Sequence, residues 1–91
     1  MTQKAFSIRD SKAGVFNTPF FQKSIGEAER SFDKLTKDSS SMVYQYPDDY
    51  DLYYIGEYDD QSGNIKPLDT PQHILKAVNT KHLKALSEGQ L

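Results

Sequence analysis

Four cationic side chains in the first third of the chain are interleaved with three phenylalanines, a combination that could bind single-stranded nucleic acid. The residues are Arg9, Lys12, Phe16, Phe20, Phe21, Lys23 and Arg30. Binding of this kind needs cations that follow the phosphate backbone and flat rings on which bases stack. The alternative is that the rings are core or dimer contacts and the cations are solvated surface charges. The two interpretations differ in whether the cations share one face with exposed phenylalanines.

A second stretch, YPDDYDLYYIGEYDDQSGNI at residues 46–65, contains five of the six tyrosines together with six acidic residues. Tyrosine buries a large area with few rotatable bonds, so it is common in protein interfaces. Tyr50, Tyr53 and Tyr58 are therefore candidates for contacts with another protein, and the acids would steer a basic partner towards them. In this alternative hypothesis the chain is a protein–protein adaptor, and a homodimer is its expected form.

The acidic residues of this stretch do not have the spacing of a metal site. A calcium loop with Gly63 at its sixth position would have to begin at Tyr58, which carries no carboxylate. His73 and His82 have no acid or cysteine partners at zinc spacing. The chain has no cysteine and no glycine-rich phosphate loop. We therefore predict no metal, no cofactor, no catalytic residue and no enzymatic activity.

Charge is segmented along the chain. Residues 1–37 carry seven Lys and Arg against four acids, residues 38–62 carry seven acids and no Lys or Arg, and residues 63–91 carry four Lys against two acids. The net charge of −2 argues against a strongly basic nucleic-acid binder. If the chain binds a nucleic acid, its acidic middle would have to face away from the strand, because like charge repels phosphate. Over 91 residues we expect one domain (1–91), without a signal peptide or a membrane span. The absence of cysteine is compatible with a reducing cytoplasm.

Hydrophobic periodicity predicts the elements that position these residues in the first half. AFSIR (5–9) alternates with a period of two, which is typical of a strand, and residues 20–23 are predicted to return along it. Ser24 and Glu27 form a capping box at the start of a helix. The apolar stripe of this helix recurs at spacings of three and four and consists of Ile25, Ala28, Phe32 and Leu35.

The second half predicts a loop, a hairpin and a second helix. After a loop over 42–50, DLYYIGEY (51–58) is predicted as a central strand, with one face formed by Leu52, Tyr54, Gly56 and Tyr58. IKPL (65–68) is an edge strand because Pro67 cannot donate to a ladder.

Thr70 as cap and Pro71 at the first helical position predict the second helix, which 79–91 continues as a frayed tail. The order of strand, extended segment, helix, strand, strand and helix predicts an α+β fold. Its sheet is antiparallel-dominated with three or four strands, and both helices lie on one face.

Several short blocks, taken in order, resemble a known family. They are TPFF (18–21), AERSF (28–32) and the 46–65 stretch, which reads Tyr-Pro-x-Asp-Tyr-x-Leu-x-x-Ile-Gly-x-aromatic-Asp-x-x-x-Gly. With this spacing the chain resembles the small nonstructural protein of gokushovirus-type microviruses, which are tailless icosahedral phages with circular single-stranded DNA genomes. The resemblance covers roughly residues 4–68.

The resemblance implies a nonstructural protein made in the cytoplasm of the infected bacterium. It implies a role in viral single-stranded DNA replication or packaging, and members of the family are often described as DNA-binding. The partners would then be single-stranded DNA and a viral or host replication or packaging protein. In the adaptor hypothesis, the tyrosine-rich hairpin would dock on a replication or capsid-assembly partner. The family brings no catalytic motif.

Overall fold

Five antiparallel strands form one sheet, in a computed structural model that describes residues 1–79. The strands are β1 (Thr2–Asp10), β2 (Val15–Phe16), β3 (Phe20–Gln22), β4 (Tyr50–Asp59) and β5 (Ile65–Lys76). β1 pairs with β4 along one edge and with the short β2 and β3 along the other, while β5 pairs with the second edge of β4. The α+β fold, the return of residues 20–23 along the first strand and the central position of the 51–58 strand are confirmed.

The helix α1 (Ile25–Lys37) begins at the predicted capping box. The Glu27 amide donates to the Ser24 hydroxyl at 3.2 Å, and the Glu27 carboxylate accepts from the Lys23 amide at 3.1 Å. Two residues of the apolar stripe, Ala28 and Phe32, are fully buried. The capping box and the apolar stripe thus both indicate a helix over the same residues, which explains why α1 could be predicted from the sequence.

The segment predicted as a loop over 42–50 is wrong in part, because it contains a short helix and a 3₁₀ turn. The helix α2 (Met42–Gln45) begins after Ser41, whose hydroxyl accepts from the Val43 amide at 3.1 Å. The 3₁₀ turn spans Pro47–Asp49 and leads directly into β4. Val43 is buried, so one apolar side chain anchors this short helix to the domain.

All helices in residues 1–79 pack on the same face of the sheet, called here the helix side. The core joins Phe6 and Leu52 from the central strands to Phe32 of α1 and Val43 of α2. Ala77, in the helical residues 77–79 after β5, belongs to the same core. Every helix in the described part of the chain thus contributes its buried side to one core. No helix among the described residues covers the opposite face of the sheet, which is called the open face.

The helix predicted to begin at Thr70 and Pro71 is wrong, because β5 continues to Lys76. β5 pairs with β4 in two stretches, separated by an irregular segment over residues 68–71. The ten-residue β4 has backbone donors and acceptors at both edges. Hydrogen bonds from β5 to the second edge stabilise the fold more than a helix start at Thr70 and Pro71 would. Both prolines of β5 are tolerated because β5 is an edge strand. The frayed tail predicted over 79–91 lies, from residue 80 onward, outside the described residues.

A bulge at Ile55 changes which side chains of β4 share a face. Ala5 of β1 lies opposite Gly56, whereas the next residue, Phe6, lies opposite Tyr54, so Ile55 has no partner in this ladder. An extra residue of this kind shifts the alternation of side chains. Leu52 and Tyr54 therefore face the helix side, whereas Gly56 and Tyr58 face the open side, so the prediction that these four residues share one face is wrong.

Replacing Gly56 with alanine is expected to lower the free energy of unfolding by about 1–3 kcal/mol through overpacking. A Cβ atom at Gly56 would lie 2.7 Å from the Lys66 carbonyl oxygen and 3.1 Å from the Pro67 Cα atom, both of which are backbone of β5. Gly26→Ala is the control, because a Cβ there meets nothing closer than 4.0 Å and alanine favours the helix. Urea unfolding of both variants measures the change in the free energy of unfolding. Equal changes of the same sign in the two variants would contradict a close approach of β5 to Gly56.

Candidate nucleic-acid interface

Two groups of aromatic rings lie on the open face. Phe16 of β2 contacts Tyr53 of β4, and Tyr53 contacts His73 of β5, with ring centroids 5.3 Å apart in both pairs. Phe21 of β3 contacts Tyr58 of β4 at 5.1 Å. These five side chains are called the ring surface below. Phe16 and Phe21 remain 44% and 38% exposed, so their rings are accessible to a planar ligand.

Small residues on β1 allow rings from strands on either side of it to meet. β1 lies between β2 and β3 on one edge and β4 on the other, and it contributes Ala5 and Ser7 to the open face. These residues are only 2% and 0% exposed. The Ser7 hydroxyl donates to the Asn17 carbonyl at 2.7 Å, which fixes the chain just after Phe16. A large side chain at either β1 position would hold the rings apart.

Positive charge lies at one end of the ring surface. The Arg9 guanidinium lies over the Phe16 ring, 5.6 Å from its centroid. Asp51 is opposite both Arg9 and Lys76 in the strand register. Its carboxylate is 2.8 Å from His73 Nε2 and 3.5 Å from Lys76 Nζ. With a neutral histidine, the two cations and one carboxylate give this end of the face a net charge of +1.

The acidic middle of the chain is directed almost entirely away from the ring surface. Among the seven acids of residues 38–62, only Asp51 lies on the open face. The others belong to helix-side positions of β4, to the hairpin turn or to the segments after α1; they are Asp38, Asp48, Asp49, Glu57, Asp59 and Asp60. Nucleic-acid binding requires that the acidic segment face away from the bound strand, and six of its seven acids do so.

The structure brings together some of the residues singled out for nucleic-acid binding. Arg9, Phe16 and Phe21 share the open face. Phe20 faces the helix side, where its ring stacks on Phe6 with centroids 5.8 Å apart. Lys12 lies in the turn after β1 and Lys23 just before α1. Arg30 is an exposed residue of α1, on the opposite side of the sheet from the rings.

The three tyrosines proposed for a protein interface also separate. Tyr53 and Tyr58 are part of the ring surface and are partly exposed. Tyr50 is only 6% exposed and lies in the core. Its hydroxyl donates to Asp10 at 3.3 Å. Burial, followed by the nearby Asp10 carboxylate, raises the pKa of Tyr50.

Sequence reasoning missed His73 and Lys76 as members of this face. Both were assigned to a helix that does not exist, because Thr70 and Pro71 mimic a helix start. Two features of the sequence indicate that the strand continues to Lys76. Pro67 marks an edge strand, and the long β4 needs a hydrogen-bonded partner along its whole second edge. Once the strand continues to Lys76, His73 falls opposite Tyr53, and its ring completes the first aromatic group.

A separate polar cluster lies on the helix side of β4, next to the bulge. The Tyr54 hydroxyl donates to the Glu57 carboxylate. Lys4 Nζ is 3.3 Å from the same carboxylate and 5.2 Å from the centroid of the Tyr54 ring. The hydrogen bond from Tyr54 lowers the pKa of Glu57, and the same bond, followed by burial, raises the pKa of Tyr54. The bulge at Ile55 is what turns Glu57 towards Tyr54.

Tyr54→Phe is expected to lower the free energy of unfolding at pH 7 by about 1 kcal/mol, because it removes a hydrogen bond to a charged, partly exposed acceptor. A lowered carboxylate pKa stabilises the fold above its ordinary value of 4.5 and ceases to do so as the pH falls through the folded-state pKa. The difference between the variant and the wild type should therefore shrink in acid. Urea unfolding at pH 7 and pH 3 measures it, with Tyr46→Phe as the control on an exposed ring. A difference independent of pH would contradict the assignment.

Within residues 1–79, no group of three or more histidine or acidic side chains is arranged to hold a metal ion. No helix in that part of the chain is long and apolar enough to cross a membrane.

A family comparison places the chain among phage proteins. The family described as Phage ORF5 protein matches residues 3–80. This range includes β1 from its second residue, the other four strands and both helices, and thus the ring surface and the core. No curated protein and no solved structure matches the chain. Because the match covers most of the sequence, the chain belongs to the phage ORF5 protein family.

Proposed function

We propose that this phage protein is a non-enzymatic, nonstructural accessory protein of a gokushovirus-type microvirus. It binds single-stranded DNA through the open face of its sheet and acts in viral DNA replication or packaging in the cytoplasm of the host bacterium. The observation that carries the proposal is the ring surface beside Arg9 and Lys76, with two phenylalanines 44% and 38% exposed. Exposed rings next to cations are what sequence-tolerant binding of a single strand requires.

Stacking would supply most of the affinity. A base stacked on an aromatic ring contributes about 1–3 kcal/mol, and the two ring groups offer separate stacking positions. Few cations of residues 1–79 lie near the rings, so we expect about two or three phosphate contacts. For single strands, this number gives a slope of about −1.4 to −2.1 in a plot of log affinity against log salt concentration. The binding should therefore be modest in strength and only moderately sensitive to salt.

The test is fluorescence anisotropy of a labelled oligothymidine across a range of salt concentrations. Arg9→Gln and Arg30→Gln are matched variants, since each removes one arginine charge. We expect Arg9→Gln to weaken binding and to make the slope shallower by about 0.7, the value for one phosphate contact. Arg30→Gln should change neither quantity, because its side chain lies on α1. No binding at low salt, or equal effects of the two variants, would contradict the proposal.

A second candidate is a dimeric adaptor that uses the same face for a protein partner in replication or capsid assembly. It is favoured by the apolar exposure of the face, where Ile65 is 61% exposed beside Tyr58. Exposed apolar side chains in contact with tyrosines are common in interfaces. Light scattering at increasing protein concentration tests it. A dimer that is lost in Ile65→Ser and that excludes oligonucleotide supports the adaptor, and a monomer at all concentrations contradicts the homodimer.

A further inference from the structure

A groove with a volume of about 530 Å³ opens on the helix side, away from the ring surface. It lies between the turn after β1 and the segment formed by α2 and the 3₁₀ turn. Its lining consists of Asp10, Lys12, Ala13, Met42, Tyr46, Asp49 and Tyr50. Met42 and Tyr46 are 55% and 52% exposed. The groove therefore has an apolar, aromatic wall that is accessible from solvent.

The two carboxylates of the groove differ in what they already bind. Asp10 is occupied, because it accepts from the amides of Lys12 and Ala13 at 3.0 and 3.1 Å and from the Tyr50 hydroxyl. Asp49 is held by its backbone instead, since its carbonyl accepts from the Ser11 amide at 2.9 Å and from the Ser11 hydroxyl at 3.0 Å. Its carboxylate has no hydrogen bond or ion pair within residues 1–79. A fixed backbone thus presents an unpaired negative charge to the groove.

We propose that this groove binds an arginine side chain of a basic partner protein, with the guanidinium paired to Asp49 and packed against the ring of Tyr46. A planar guanidinium can pair with a carboxylate through two parallel hydrogen bonds and can stack on an aromatic ring at the same time. The thioether of Met42 is suited to cover the aliphatic part of the side chain.

Charge complementarity selects a cation as the occupant. Within the described part of the chain, Asp10 and Asp49 line the groove and Asp48 adjoins it, against one cation, Lys12. Phosphate would be repelled by this lining. The open face and the groove are on opposite sides of the sheet, so the protein can bind a nucleic acid and a basic protein at once.

The test is titration of the full chain, labelled with ¹⁵N, with a short acetylated and amidated peptide that contains one arginine next to a leucine. The matched peptides replace the arginine with lysine or with citrulline, which is neutral and nearly isosteric. We expect amide shifts at Ala13, Met42 and Tyr46 for the arginine peptide, and an affinity at least about tenfold lower for citrulline. The lysine peptide should bind with intermediate affinity.

Asp49→Asn should lower the affinity for the arginine peptide by at least about tenfold. Asp48→Asn is the matched control, since it removes the same charge from an exposed neighbour outside the groove lining and should have little effect. Neither substitution removes an intramolecular side-chain bond, so both variants should keep the wild-type spectrum. Equal binding of arginine and citrulline peptides, no effect of Asp49→Asn, or shifts on the ring surface instead would overturn the proposal. If oligothymidine displaced the arginine peptide from the groove, the proposal would also be overturned, because the groove would then bind nucleic acid instead of a basic protein.

Discussion

The double variant Phe16→Ala and Tyr53→Ser is expected to lose at least about 30-fold in affinity for oligothymidine, or about 2 kcal/mol, while keeping its fold. Both rings belong to the first aromatic group and contact each other with centroids 5.3 Å apart. Their effects should not be additive, since residues in contact share their interaction energy. The affinity is measured by fluorescence anisotropy at low salt.

The control for this variant is Tyr46→Ser, which removes an exposed tyrosine ring from the helix side of the molecule. It should leave oligonucleotide affinity unchanged. Phe16→Ala alone provides a second check, because Phe16 is 44% exposed and contributes little to the core. An oligonucleotide affinity that survives the loss of both rings, in a chain with a wild-type circular dichroism spectrum, would contradict stacking on this face.

Phe32→Ala is expected to lower the free energy of unfolding by about 3–5 kcal/mol. Phe32 is 0% exposed and joins α1 to the side chains of the central strands. A domain of this size has a small total stability, of the order of 5 kcal/mol. The variant should therefore be partly or wholly unfolded at room temperature. Urea unfolding followed by circular dichroism gives the measurement.

The matched control is Phe21→Ala, the same substitution at a ring that is 38% exposed on the open face. It should cost clearly less, about 2 kcal/mol, which is the loss of one aromatic pair together with the burial of part of the ring. If the two substitutions proved equally destabilising, the core would not lie between α1 and the sheet as described.

The parts of the fold that could be predicted are those in which local and non-local signals agree. Ser24 and Glu27 start α1, and the stripe through Ala28 and Phe32 supplies its buried side. The alternation of β1 and the first half of β4 follows directly from a sheet with one covered face. In these segments, the residues that form the element also bury against the core.

The parts that could not be predicted depend on pairing between distant strands. Thr70 and Pro71 have the chemistry of a helix start, yet they lie in β5 because the second edge of β4 needs a partner. The bulge at Ile55 is visible only in the register of β1 against β4, and it alone moves Tyr58 to the open face. The ring surface therefore could not be assembled from sequence, although Phe16 and Phe21 were identified.

The position of the acidic middle segment bears on whether the open face can bind a nucleic acid. The acids of residues 38–62 lie mostly on the helix side or in turns, where they are suited to basic partners. Arg9 and the rings lie on the open face, where phosphate and bases can approach. A net charge of −2 is thus compatible with nucleic-acid binding by the open face, because six of the seven acids of residues 38–62 lie away from it.

Amide chemical shifts of the ¹⁵N-labelled chain, recorded at low salt with and without oligothymidine, test directly whether the open face binds single-stranded DNA. We predict that the shifts concentrate at Ser7, Phe16, Tyr53 and His73 on the open face, and that the amides of α1 remain unchanged. Shifts confined to α1 or to the groove beside Tyr46, or no shifts at any oligonucleotide concentration, would contradict single-stranded DNA binding by the open sheet face.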